Sequence, residues 1–284
     1  QEGQTVFLTT QVEHAPLARA LTRAAYRAGA RYVDVRYRDD HVRHAMIELG
    51  PDEALTHSPE WMKQLYRAME GGAQLWTTGD PEPELMNDLD GERVGRARMK
   101  EVVEIIRGQM MERSLNWSGV AYPSEGWATQ IYGEPDVERL WEAVAFCTRL
   151  DETDPVQAWR DHMARLEGRG KTLTELGLDA IHYTGPGTDL TIGLNPNARW
   201  MSALFRTRDE IEYVPNMPTE EVFTTPDCRR AEGTIRSSRP LVLDGDIIEG
   251  LQLTVKDGKI VDVQADKGAG IVRSKRGVGG GYVL

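Results

Sequence analysis

Cysteine is scarce in this chain of 284 residues, where only Cys147 and Cys228 occur. Two thiols far apart in sequence exclude a disulfide-built scaffold and read as reduced thiols of a cytoplasmic protein. The apolar helical pattern around Cys147 places it in a core. Arg229 and Arg230 beside Cys228 would favour its thiolate, but no histidine motif stands near it to make a nucleophile. Long apolar runs are also missing: no stretch of eighteen occurs, so no membrane span is expected. The first residues, Gln1-Glu2-Gly3-Gln4, have neither a basic nor an apolar segment, so no signal peptide is expected. Positive charge is in deficit, with 34 Lys and Arg against 45 Asp and Glu and a formal net charge of −11. That balance argues against nucleic acid or an anionic membrane as partner, since both are bound by basic side chains that neutralise phosphates.

What is present is the composition of a globular protein, long enough for two domains. Up to about residue 178 the chain alternates strand and helix signals. Thr5–Thr9 reads as a strand, and Leu17, Leu21, Ala24, Ala25 and Ala28 then recur at helical spacing until Gly29. Tyr32–Tyr37 follows as a second strand, which makes a βαβ unit and a parallel pair. Further helices are predicted near 40–49, 59–71, 91–112, 136–149 and 155–169, with strands at 74–78 and 115–122. From about residue 179 short strands and turns take over, and Lys256-Asp257-Gly258-Lys259 between two alternating runs signals a hairpin. The expected fold class is therefore α/β: an N-terminal α/β sandwich with a mainly parallel sheet (1–178), followed by a β-rich domain (179–284). After Asp266 no acidic residue occurs, and glycines accumulate. This tail is expected to belong to no packed element or to mark a change of reading frame.

Several motifs compete for a chemical role. Gly185-Pro186-Gly187-Thr188 follows a strand, as phosphate-binding turns do, but another strand follows where a helix should, so a tight turn is expected. His41 and His44 share a helical face, yet Arg36, Arg38 and Arg43 would repel a cation, and a solvated face is expected. Asn116-Trp117 and Tyr122 to Trp127 form an aromatic strand and loop that read as packing rather than a ligand pocket. The most informative stretch is Pro215 to Pro226, where Glu220 and Glu221 sit in a β-branched run fenced by three prolines. On a strand the two carboxylates would point to opposite faces. Adjacent carboxylates need a nearby cation to stay ionised together. A metal ion and a salt bridge to Arg229, Arg230 or Arg236 are both open from the residues alone.

Thr184 to Thr191, then Pro215 to Thr224, Glu232-Gly233-Thr234 and Arg239-Pro240-Leu241 together resemble the thermophilic metallo-aminopeptidases of the aminopeptidase T and S type. Asn116-Trp117 through Ala128 and Asp154-Pro155 through Trp159 fit the same family. The resemblance implies release of N-terminal residues from peptides with a free N-terminus, two divalent metal ions (cobalt or zinc), and a homodimer with an enclosed active site. It also implies that Glu220 or Glu221 is a metal ligand, without choosing between them. The family's further Gly-Glu, His, Tyr and His-x-Asp ligand segments have no counterpart here, and 272–284 depart from its pattern. A truncated or frameshifted chain is therefore expected. It would be inactive alone, hold no bound ion, leave Glu220 and Glu221 solvated or paired with an Arg, and form a dimer or larger assembly. The alternative is a non-catalytic module that binds peptides or associates with a full-length relative.

Overall fold

The computed structural model describes residues 2–243 and 246–275. Its residues divide into two compact units that interleave along the chain, the first made of 1–164 with 203–220 and the second of 165–202 with 221 onward. They therefore cut the chain differently from the expected 1–178 and 179–284.

The first unit is built on strands β1 (Thr5–Gln11), β2 (Tyr32–Arg38), β3 (Ala73–Thr78) and β4 (Asn116–Ala121). Helices α1 (Ala15–Arg27), α2 (Asp40–Leu49), α3 (Glu60–Arg67), α4 (Gly91–Arg96), α5 (Lys100–Met111), α6 (Glu125–Tyr132), α7 (Val137–Cys147) and the start of α8 (Pro155–Glu175) connect or follow them, and from residue 165 α8 is counted with the second unit. The strands pair in parallel, with Val6 opposite Val33 and Ala73, and Trp76 opposite Gly119. Parallel pairing demands a crossover between successive strands, which is why helix and strand signals alternate. Val6, Val33 and Ala73 are buried on one face, against Ala25 of α1.

Three helical expectations need correction. The predicted helix over 91–112 is two helices, broken where Ala97 and Met99 leave helical dihedrals. The region read as an aromatic loop contains α6, whose start is capped by the Ser124 hydroxyl accepting from the Trp127 N–H. A serine at this position satisfies an N–H that the helix itself cannot. Cys147 is exposed rather than in the core, because α7 turns Leu140 and Val144 inward instead.

The second unit is antiparallel. β5 (Ala180–Gly185), β6 (Thr188–Leu194), β12 (Pro226–Arg236), β15 (Gln252–Lys256) and β16 (Lys259–Gln264) form one sheet in the order β16-β15-β12-β6-β5. Gly185-Pro186-Gly187-Thr188 is the tight turn joining β5 to β6, with Gly187 at φ +73°. The predicted hairpin is present: Lys256 pairs with Lys259 across Asp257 (φ +49°) and Gly258 (φ +73°). Two positive φ values are what a two-residue turn matched to strand twist requires. Short pairs complete the set. In the second unit these are β7 (Met201–Ser202) with β11 (Val222–Phe223), and β13 (Leu241–Leu243) with β14 (Asp246–Ile248). In the first they are β8 (Phe205–Arg206) with β9 (Glu212–Tyr213), and β10 (Asn216–Met217), which adds in parallel to β4.

The start of the tail is packed, contrary to expectation. Residues Ala269–Lys275 form α9, and Val272 rests on the cluster of Ile248, Leu251 and Val263. The Arg273 guanidinium donates to the Val263 carbonyl at 2.6 and 3.1 Å. Residues 276–284 lie outside the described residues.

Candidate active site

The acid pair does not lie on a strand. Asn216–Met217 extends the parallel sheet of the first unit, while Val222–Phe223 pairs with Ser202 and Met201 in the second. Glu220 and Glu221 occupy the link between these two short strands, and the two units divide between them. Pro218, which has no N–H to give a ladder, interrupts the run. Strand alternation therefore does not decide where the two carboxylates point.

Their surroundings do distinguish them. Glu220 Oε1 accepts from the Arg149 guanidinium at 2.7 Å, and its Oε2 lies 3.3 Å from His162 Nε2. Arg149 in turn stacks over the Trp159 ring, 4.9 Å from its centroid, and Trp159 meets His162 edge-on. The Trp159 indole N–H donates to the Thr148 carbonyl, and His162 Nε2 is 2.9 Å from the carbonyl oxygen of buried Thr219. Glu220 is thus held at the end of an aromatic and cationic stack, although its side chain is 64% exposed. Glu221 is exposed and has no ion pair or side-chain hydrogen bond among the described residues.

The expected partners were different. Arg229 is engaged by Asp227, Arg230 by Asp179, and Arg236 by Asp266 at 3.4 Å. Arg149 and His162 could not be found by spacing, since they lie 71 and 58 positions from Glu220 and belong to other elements. Their only local signal is aromatic company, Trp159 within reach of both.

A divalent ion needs several converging donors. Among the described residues no three His, Cys, Asp or Glu side chains come together as a metal site. Glu220 is already committed to Arg149. The residues described here do not by themselves fit a two-ion centre.

The other candidates have structural roles. His41 bonds Glu82 at 2.8 Å, and His44 bonds Asp88 at 2.9 Å, so this helix face ties down the segment after β3. The Glu82 bond raises the pKa of His41. Trp76 and Trp117 stack 4.8 Å apart, and Trp141 meets Tyr122 edge-on, as packing predicts. His14 is fully buried at the carboxyl end of β1, with Nδ1 2.8 Å from the Thr77 hydroxyl, and burial lowers its pKa.

Each unit contains a cavity. That of the second unit, about 500 Å³, is lined by Asp179, Asn195, Asn197, Arg199, Trp200 and Thr224. That of the first, about 1030 Å³, opens at the carboxyl end of β2 and is lined by Arg38, Asp40 and Arg43, with Met46, Met62 and Met99. Among the described residues no helix is long and apolar enough to cross a membrane.

Comparison with known proteins agrees with this fold. The family profile described as thermophilic metalloprotease (M29) matches residues 1–275. Aminopeptidase T of Thermus aquaticus is 36% identical over 284 residues, covering 96% of this chain and 69% of that protein. Aminopeptidase PepS of Streptococcus thermophilus is 35% identical over 283 residues, covering 96% and 68%. The structure of wild-type AmpT from Thermus thermophilus matches with a TM-score of 0.89 at 34% identity, covering 96% of this chain and 69% of that one. The expected truncation, and the inactivity drawn from it, find no support in these matches. They run over 96% of the chain, and the family match reaches residue 275, past the start of the segment read as foreign.

Proposed function

Because this chain belongs to the thermophilic metalloprotease family (M29), we propose that it acts on peptides with a free N-terminus and releases their first residue. The aminopeptidase names of its relatives support the reaction class, and the family's description supports a divalent metal, for which cobalt and zinc are the candidates. The observation that carries the assignment within this chain is the unequal state of the acid pair. Glu220 is neutralised by Arg149 and leans on His162. Glu221 is exposed with its charge uncompensated, so it is the member available to a cation. Glu221 is therefore the ligand in this reading, and Glu220 fixes the link that presents it. A cytoplasmic location and a homodimer or larger assembly belong to the same proposal.

The test is hydrolysis of leucine p-nitroanilide by the purified chain, with and without added cobalt or zinc. Metal-dependent release is expected. It should be lost in Glu221→Gln and kept, at a lower level, in Glu220→Gln. No release with either metal would overturn the aminopeptidase reading for this chain, and full activity in Glu221→Gln would overturn the choice of ligand. Light scattering checks the assembly, where a monomer would contradict it. A second reading, a non-catalytic peptide-binding module, draws on the cavity of the first unit. Peptide binding without release would distinguish it.

A further inference from the structure

The first unit holds a cavity whose charges are unevenly committed. Its acids are largely occupied from within. Asp39 caps α2, accepting from the His41 and Val42 N–H groups, and Asp40 accepts from the buried Gln11 amide at 2.7 Å. Its cations are not. Neither Arg38 nor Arg43 has an ion pair or side-chain hydrogen bond among the described residues. Neighbouring arginines are all engaged: Arg36 by Asp34, Arg67 by Glu60, and Arg93 by Asp52 and the carbonyls of Ile47 and Gly50. Glu53 is the one lining acid without a partner among the described residues. The lining carries two guanidiniums against three carboxylates, so a ligand carboxylate would be held here by direct contact with Arg38 and Arg43, while Asp39 and Asp40 are engaged by backbone N–H groups and by Gln11. Apart from Tyr37 and His57, the rest of the lining is apolar and adaptable, with Met46, Met62 and Met99 beside Leu55 and two prolines. Methionine surfaces accept varied apolar side chains. The carboxyl edge of a parallel sheet is where α/β folds bind ligands, and about 1030 Å³ is room for a short peptide.

We propose that this cavity binds the carboxyl-terminal end of an apolar peptide, with its carboxylate on Arg38 and Arg43 and its side chains against the three methionines. A guanidinium matches a carboxylate with two parallel hydrogen bonds. Glu53 selects a peptide over a fatty acid of the same charge, since it can accept from a backbone N–H and a fatty acid offers none. The choice of peptide also draws on the proposed aminopeptidase reading, but binding here requires no turnover.

The experiment is titration calorimetry on the whole 284-residue chain with N-acetyl-Leu-Met-Leu, its C-terminal amide, and decanoate. Acetylation removes the free N-terminus, so the result is independent of peptidase activity. Saturable one-site binding of the acid is expected, with the amide weaker by about tenfold or more, as loss of a charge-assisted hydrogen bond implies. Arg38→Gln and Arg43→Gln should each weaken the acid by a similar factor and leave the amide nearly unchanged. That difference separates loss of a contact from loss of the fold. No saturable binding, equal binding of acid and amide, tighter binding of decanoate, or unchanged affinity in both arginine variants would overturn the proposal.

Discussion

Both units bury apolar side chains, but buried polar ones are concentrated in the first. In the first, polar groups are sunk into the parallel sheet and its carboxyl edge: Thr10, Gln11, His14, Gln74 and Thr77 are all buried. In the second, the antiparallel sheet closes over apolar clusters, Leu190 with Ala231 and Val255, and Ile248 with Leu251 and Val263. Buried polar groups cost stability unless they are paired, and proteins retain them where a site or a unique arrangement needs them. The first unit thus resembles a ligand-binding layer. The second resembles a scaffold whose hairpins hold short segments in place, among them Val222–Phe223 next to Glu221.

The largest effects test whether both interiors are equally close-packed. Leu8 in β1 and Leu190 in β6 are each 1% exposed. Leu8→Ala and Leu190→Ala should each cost roughly 2–5 kcal/mol by urea denaturation, through lost burial and the cavity left behind. Hydrogen exchange should quicken around the mutated strand in each case. If Leu190→Ala is nearly neutral, the second interior is loose and the contrast fails.

Smaller effects compare two glycines of similar conformation. Gly258 has φ +73°, and a methyl group there would lie 1.8 Å from the Cys228 carbonyl oxygen. Gly71 has φ +76° with nothing within 4 Å of the same added atom. Left-handed backbone alone costs an alanine about 1–2 kcal/mol, so Gly71→Ala should fall in that range. Gly258→Ala should exceed it, because the hairpin must also shift. Equal thermal midpoints for the two variants would show that the turn yields without resistance.

The same contrast explains what could be read from the residues. The first unit's alternating elements announce themselves because a parallel strand pair needs a helix between its members. The second unit's hairpins are local, and Asp257-Gly258 marks one directly. The partners of Glu220 were hidden because Arg149 and His162 approach it from α7's end and from α8, at separations no periodicity encodes. Glu220-Glu221 looked like strand because its neighbours are β-branched. The backbone instead joins a strand of one sheet to a strand of another there, and composition does not record which sheet each half joins. The tail looked foreign because its charge and glycine content change. Yet Val272 and Arg273 bond into the second unit through one apolar contact and one carbonyl, too little to alter the local pattern.

Acid titration separates the units by window. His14 of the first unit is held below its ordinary value of 6.5, chiefly by burial. Below that value the unfolded chain binds a proton that the folded chain resists, so stability falls as pH drops from 7. His14→Gln should flatten this part of the urea-midpoint profile. An unchanged slope would mean that the buried imidazole titrates freely.

The smallest effect lies in the second unit and at lower pH. Asp227 is held at about 2, chiefly by its hydrogen bond from the Arg229 side chain and then by the Arg229 backbone N–H. Its folded value lies below the unfolded one, so its contribution is complete above about 4 and is lost as pH falls through 2. The Asp227 side chain is only 12% exposed, but its partner Arg229 is 82% exposed and screened, so only a shallow loss is expected. Salt should reduce it further, because exposed charges interact through the ionic atmosphere. Arg229→Ala should raise the Asp227 carboxyl titration in side-chain carbon NMR towards its ordinary 3.8. It should leave the His14 window in place, since that window arises from burial in the first unit. A shift in both windows would mean that the acid response is shared, and the concentration of buried polar groups in the first unit would not explain it.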